Sequence, residues 1–310
     1  MSSTTPPPST PAVDSAAAQS GAASSAPARP RGSQHALTVT SSERLSPHLV
    51  RLRFGGEGVA AWIAAADPAR LGATDTYAKL LFAKPELALE PPYDLEVLRE
   101  SLPLEDLPVR RTYTIREVDA ATSTLAIDFV VHGDEGVAGP WALGAQPGDL
   151  LSASTPGGAF TPSADAALPR LYLGDDSAIP AIAAALEALP ADARGTAIIE
   201  VESAAEQLPL AHPDGVELIW LHRASETDAA VATAGEPLVA AARALPAPTG
   251  PVEVFAHGER GAMKELRRLI NGEWGVDRAL LSLSAYWALG RAEDAFQAEK
   301  REPIGQIFDA

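Results

Sequence analysis

The sequence predicts two folded domains in series, an antiparallel β-barrel followed by an α/β domain built on a parallel sheet. Three observations predict it. A chain of 310 residues is long enough for about two domains. Between residues 36 and 154, apolar side chains recur with a period of two, interrupted by clusters of Pro, Gly and Asp. From Arg170 onward, short β-branched runs alternate with stretches of helical periodicity.

The elements follow in order. Residues 1–33 are almost wholly Ser, Thr, Pro, Ala and Gly. They carry too little large apolar surface to offset the entropy of ordering, and they read as a disordered tail. The tail has no basic n-region and no apolar h-region, so no secretory leader is expected. Strands are expected at 36–40, 48–54, 78–82, 110–116 and 124–132, the loop 146–149 leads into 150–154, and 162–169 reads as the linker. The second domain is expected to open with a strand at 171–173 and a turn, 174–177, leading into a helix that ends near Leu189. Ser177 is the expected N-cap of that helix. Further strands are expected at 196–201, 216–221, 252–256 and 280–284, and helices near 234–245, 260–270 and 292–301. The expected boundaries are a tail at 1–33, the barrel at 34–162, the α/β domain at 168–303 and a tail at 304–310.

Composition excludes several functions. The net charge is −17 and the pI about 4.7, so the chain repels phosphate backbones and no nucleic-acid partner is expected. Without cysteine the chain offers no disulfide, no thiolate zinc site and no Fe–S cluster ligand. Redox chemistry would need a bound organic cofactor. The six histidines lack metal-ligand spacing, so no metal site is expected. No apolar run reaches the length of a membrane span, and the protein is expected to be cytoplasmic and monomeric.

Against that background, R-x-Y-T at 111–114 stands out. Arg111 can pair with a phosphate, the Tyr113 ring can lie against an apolar ring system, and the Thr114 hydroxyl can bond the edge of that ring. The set suits a flavin, although the same tetrapeptide occurs on many solvated strands. Downstream, His132, Gly136, Gly139 and Trp141 mark a glycine-rich loop whose N–H groups could approach a phosphate, or a turn closing onto a helix. Asp175, Asp176 and Ser177 sit where a pyrophosphate would meet a helix N-terminus, but two aspartates oppose an anion. Lys79, and the face formed by Arg260, Lys264 and Arg267, are either solvated or steer an anionic substrate. Tyr286 and Trp287 end the last strand, as interface packing or as cleft contacts.

Taken in order, Y-x-K-L-L-F (77–82), R-x-Y-T (111–114), D-F-V-V-H-G leading to G-P-W-A (128–142) and P-G-G (156–158) form a recognisable series. It continues with G-D-D-S-A-I-P-A-I (174–182), H-G-E (257–259) and Y-W-x-x-G-R-x-E-D (286–294) with Lys300. From about residue 35 to 302 the chain resembles the siderophore-interacting protein family of flavin-dependent ferric-siderophore reductases. The resemblance implies a ferredoxin-reductase-like arrangement, with an FAD-binding barrel and a nicotinamide-binding type of α/β domain. FAD would be the cofactor, NAD(P)H the donor and a ferric siderophore the substrate, with Fe(II) released in the cytoplasm.

The resemblance also assigns residues. Arg111, Tyr113 and Thr114 become the flavin-contacting strand, with Thr114 at the N5 edge and Tyr113 against the ring. His132, Gly136, Trp141, Gly157 and Gly158 belong to cofactor loops, and Asp175, Asp176 and Ser177 to the nicotinamide-side turn. Tyr286 and Trp287 face the flavin cleft, while Lys79, Lys264 and Lys300 surround the siderophore. Two departures stand out: Ala288 replaces a basic residue, and Thr155 replaces the first glycine of G-P-G-G. Ala288 keeps open a flavin reductase with another acceptor, such as a quinone, haem or free flavin. A non-catalytic ferric-siderophore carrier is the other alternative. Arg223 and Arg260 are both candidates to read a 2′-phosphate.

Overall fold

Alternation along the first half of the chain closes a barrel in the computed structural model, which describes Met1 and residues 34–131, 136–223 and 233–308. Its strands are β1 (Gln34–Ser46), β2 (Leu49–Gly55), β3 (Tyr77–Phe82), β4 (Val109–Asp119), β5 (Thr124–Val130) and β6 (Leu150–Ser154), closed in the order β1-β2-β5-β4-β3-β6. Every pairing is antiparallel. Leu37, Leu52, Phe54, Ala78, Leu80, Ile127, Phe129, Leu151 and Ala153 fill the interior as alternate residues of their strands. The tail expected at 1–33 lies, apart from Met1, outside the described residues.

The barrel half is not purely β, as the sequence led one to expect. Between β2 and β3 run α1 (Glu57–Ala65) and α2 (Pro68–Leu71), and α3 (Leu95–Ser101) lies between β3 and β4. Gly56, with φ 81°, turns the chain from β2 into α1. Val59 and Trp62, three residues apart on α1, are fully buried, and the Trp62 indole N–H donates to the Ser154 carbonyl at 2.7 Å. The helix thus seals the barrel with one large side chain.

After α4 (Ala138–Gly144) and β6, a parallel sheet forms from β7 (Arg170–Asp175), β8 (Gly195–Val201), β9 (Val216–His222), β10 (Glu253–Glu259) and β11 (Leu281–Trp287). The strand order is β11-β10-β7-β8-β9. Every residue of β7 and β10 is buried, as expected for central strands covered on both faces. The covering helices are α5 (Ile179–Glu187), α6 (Glu236–Ala244) and α7 (Arg260–Arg267), which continues as a π-helical turn, Arg268–Glu273. On α7 and that turn, Met263, Leu266, Leu269 and Ile270 face the core as their spacing predicts. The chain then closes with α8 (Glu293–Glu299). Barrel and sheet are joined by Arg116 on Glu187, and by Ser46 and the His48 N–H on Glu206.

Candidate active site

The site grows from the pairing of β3 with β4. Tyr77 stands opposite Thr114, Lys79 opposite Thr112, and Leu81 opposite Arg110. Strand side chains alternate, so these six project from one face, while Ala78 and Leu80 project inward into the core. One continuous face therefore runs from Arg110 to Thr114.

On the opposite parity of β4 lie Arg111 and Tyr113. The Tyr113 ring rests on Phe129, with centroids 4.6 Å apart, and joins the barrel core. Burial pushes its phenol pKa up, with Arg111 opposing and Glu293 adding to the rise. Arg111 Nη1 donates to the Arg110 carbonyl at 2.7 Å and reaches Asp294 on α8 at 3.3 Å. Trp141 packs edge-on against Phe82 at 5.5 Å and near Phe129 at 6.2 Å, so its ring is part of the core. Gly136, with φ 79°, takes a left-handed conformation just ahead of α4. His132 lies outside the described residues.

Gly157 and Gly158 dock directly beneath Tyr77. Tyr77 and Gly157 exchange backbone hydrogen bonds at 2.9 and 2.8 Å, and a Cβ on Gly157 would sit 2.3 Å from the tyrosine ring. Asp75 holds the same loop by accepting from the N–H groups of Ala159 and Phe160, each at 2.8 Å. Only glycine allows this contact.

From the parallel sheet, β11 brings Tyr286 to the same place. Its phenol hydrogen-bonds Thr114, which lowers its pKa, but burial and the nearby Asp75 push it up overall. His257, on β10, stacks on Phe255 at 3.9 Å, meets Tyr286 edge-on at 4.8 Å and bonds Ser282 through Nε2 at 3.0 Å. Among the described residues its Nδ1 has no hydrogen-bond partner, and burial lowers its pKa to about 3. His257 is therefore neutral.

Asp175 and Trp287 meet at the ends of β7 and β11. The carboxylate of Asp175 accepts from the Ser177 N–H at 3.0 Å, the Glu259 N–H at 2.8 Å and Trp287 Nε1 at 2.8 Å. Burial and the neighbouring Asp176 push its pKa up to about 7 against these hydrogen bonds. Asp175, not the expected Ser177, caps the turn: the serine hydroxyl is spent on that same carboxylate. A carboxylate with four lone-pair sites competes better for several donors than one hydroxyl does. Asp176 pairs with Arg223 at 2.9 Å, and Arg260 is held by Glu299, so neither arginine is free.

Beside the Arg110–Thr114 face opens a cavity of about 610 Å³. Lys79, Arg99, Arg110, Lys300 and Arg301 line it together with Thr112, Glu293 and Asp294, and Leu95, Leu104 and Leu107 supply an apolar wall. Burial lowers the pKa of Lys300, Glu293 opposes the shift and Lys79 adds to it. Of the three lysines expected around a substrate, Lys79 and Lys300 meet here. Lys264 does not line the cavity; its ammonium donates to the Ile304 carbonyl at 2.6 Å. Sequence reasoning missed Asp75 as a loop anchor, His257 as the base of the Tyr286 platform, and Arg99, Arg110 and Arg301 in the cavity.

Comparison with known proteins gives a consistent result. Residues 38–160 match the family model of the siderophore-interacting FAD-binding domain, and residues 169–290 that of the siderophore-interacting protein. An uncharacterized protein of Mycobacterium tuberculosis is 42% identical over 276 residues, 86% of this chain and 95% of that one. The NADPH-dependent ferric-chelate reductase of Escherichia coli is 33% identical over 257 residues, 81% of this chain and 91% of that one. Among solved structures, the siderophore-interacting protein SipS from Aeromonas hydrophila superposes with a TM-score of 0.69 at 28% identity, covering 89% of this chain and 100% of that one. The ferredoxin reductase in carbazole 1,9a-dioxygenase shares the fold, with a TM-score of 0.58 at 13% identity over 83% of this chain and 70% of that one.

Proposed function

The chain belongs to the siderophore-interacting protein family, and from that membership we propose that it is an FAD-dependent reductase. It takes electrons from NAD(P)H and delivers them to Fe(III) in a siderophore, releasing Fe(II) in the cytoplasm. The FAD-binding domain is assigned to 34–162 and the donor-side, siderophore-interacting domain to 168–303.

One observation carries the reading: Thr114, against Tyr286, and Thr112, on the cavity, are alternate residues of one face of β4. Alternate residues of a strand lie about 7 Å apart, so cofactor edge and acceptor would be near neighbours. The groups on hand suit FAD. Arg111 is a guanidinium whose carboxylate partner, Asp294, is 67% exposed and 3.3 Å away, so a phosphate can displace it. Thr114 offers a hydroxyl, Gly136 has open space where a Cβ would stand, and the loop of Gly157 and Gly158 packs against Tyr77 and Thr76 beside it.

Bound FAD supplies hydride acceptance and release of single electrons. The chain contributes position and field. Arg111 would hold a phosphate, and Thr114 with Tyr286 would orient the ring edge. Tyr113, seated on Phe129, would carry the ring, and Gly136 would let the phosphate loop close. Lys79, Lys300 and Arg110 would attract the anionic oxygen donors of a ferric chelate. The iron's lower charge after reduction weakens its hold on those oxygens, which promotes release.

Ala288, the feature that favoured another acceptor, is buried with Ala285 and Phe296. It is not a wall of the cavity, whose cations come from other positions. The absent basic residue therefore leaves the anion-attracting face intact. A visible spectrum, taken after incubation with FAD and desalting, tests the reading. Retained oxidised flavin, followed by faster turnover of ferric siderophore than of quinone, is expected. Protein that stays colourless rules the reductase out.

A further inference from the structure

In a doubly wound sheet a ligand binds outside the carboxyl ends of the strands, where the order of strands reverses. That point lies here between β7 and β10, because β8 and β9 extend one way from β7 while β10 and β11 extend the other. A diphosphate docking there needs free N–H groups at the start of the following helices. Instead, strand-end carboxylates have taken them.

Asp175 at the end of β7 occupies the Ser177 N–H ahead of α5 and the Glu259 N–H ahead of α7. Glu200 on β8 accepts from the Gly235 and Leu238 N–H groups of α6 at 2.8 and 2.9 Å. Glu259 at the end of β10 accepts from the Ala262 N–H of α7 at 3.0 Å and the Leu289 N–H at 3.1 Å. All three acids are buried. Ahead of α5 the Ile179 N–H bonds the Asp176 carbonyl, and Pro180 has no N–H. Arg223 is already shared by Asp176 at 2.9 Å and Glu200 at 3.3 Å. Space is short as well: a Cβ on Gly258 would lie 2.6 Å from the Asp175 carboxylate. Asp176 and Glu200 share one guanidinium, and among the described residues the N–H groups of Ser177, Gly235, Leu238, Glu259 and Ala262 at these helix starts are already held by carboxylates.

Resting on the reading that a nicotinamide donor reduces a flavin in this chain, we propose that the carboxyl edge of the parallel sheet is sealed against a diphosphate. Asp175 and Asp176 are the specificity-determining residues, and the pyrophosphate–adenosine half of the donor gains no grip at this edge. A donor lacking the pyrophosphate and adenosine then loses nothing on this protein.

Two measurements on the full-length, FAD-loaded protein test this. The first is anaerobic stopped-flow reduction by reduced nicotinamide mononucleotide, NADH and NADPH. Second-order constants within about threefold of one another are expected, and a dinucleotide advantage of about 100-fold overturns the proposal. The second is calorimetric titration with ADP-ribose, with and without a 2′-phosphate. No saturation below about 1 mM is expected, and micromolar binding overturns the seal whether or not any donor transfers hydride. If none of the three donors reduces the flavin, the functional reading fails, while the titration still decides the seal. In Asp175→Gly with Asp176→Asn, ADP-ribose association should rise at least about tenfold. A folded double variant with unchanged affinity removes the assignment to these two residues.

Discussion

Trp287 donates its indole N–H to Asp175 at 2.8 Å, tying the end of β11 to the end of β7 across the intervening β10. The acceptor is a buried carboxyl group, so deleting the donor leaves it with one fewer partner. Trp287→Phe should cost about 1–3 kcal/mol, read as a lower urea midpoint with an unchanged slope. An unaltered midpoint would show that the bond contributes nothing.

Two buried groups bend the pH dependence of stability in opposite directions. Asp175 has a native pKa of about 7 against an ordinary 3.8, so the native state holds a proton that the unfolded chain has lost. Its contribution is full below about pH 4 and is lost as pH rises to about 7. His257, at about 3 against 6.5, does the reverse: its contribution is full above 6.5 and is lost as pH falls. Between about pH 4 and 6.5 the two slopes oppose each other. Asp175→Asn should leave stability rising with pH in that window, and His257→Phe should leave it falling. Urea midpoints running parallel to those of the parent would remove both assignments.

Flavin retention should hinge on Arg111. Arg111→Ala is expected to weaken FAD at least about tenfold, measured by quenching of flavin fluorescence. Asp294→Asn, which removes only the competing carboxylate, should retain FAD at least as well as the parent. Full FAD occupancy in Arg111→Ala would remove the β4 assignment.

The three lysines should separate. Lys79→Ala and Lys300→Ala are expected to raise KM for a ferric siderophore by about three- to tenfold, less at high salt, with the flavin spectrum unchanged. Lys264→Ala should leave KM alone, because that ammonium is committed to Ile304. Equal effects at all three would show that overall charge, not the cavity, attracts the substrate.

Much of this was legible in the chain. The period of two located five of the six barrel strands, the sixth following the loop at 146–149, and the change of rhythm after Arg170 announced the parallel sheet. Helices α1 and α3 escaped because they interrupt a run of strands; at 9 and 7 residues they are as long as α5 and α8, which the alternation of strand and helix did announce. Ser177 was the plausible cap by residue type, but the donors gathered by Asp175 come from β10 and β11, which no local window contains. Glu200 left a readable signal as a carboxylate inside the apolar run 197–201. A charge in a buried strand needs several partners, and helix N-termini are where a parallel sheet supplies them. Lys79 and Lys300 meet only through folding, since they lie 221 positions apart in the chain.

The alternation along β4 also bears on how such a protein can diverge. Arg111 and Tyr113 occupy one parity and Thr112 and Thr114 the other, so inserting or deleting a single residue would exchange both sets at once. Drift in that strand is therefore locked to substitutions that keep its register. The excursion between Phe82 and Val109 carries no such lock, yet it brings Leu95, Arg99, Leu104 and Leu107 to the cavity. New acceptors can be acquired there by lengthening, shortening or recolouring a loop, while the strand beneath it stays as inherited.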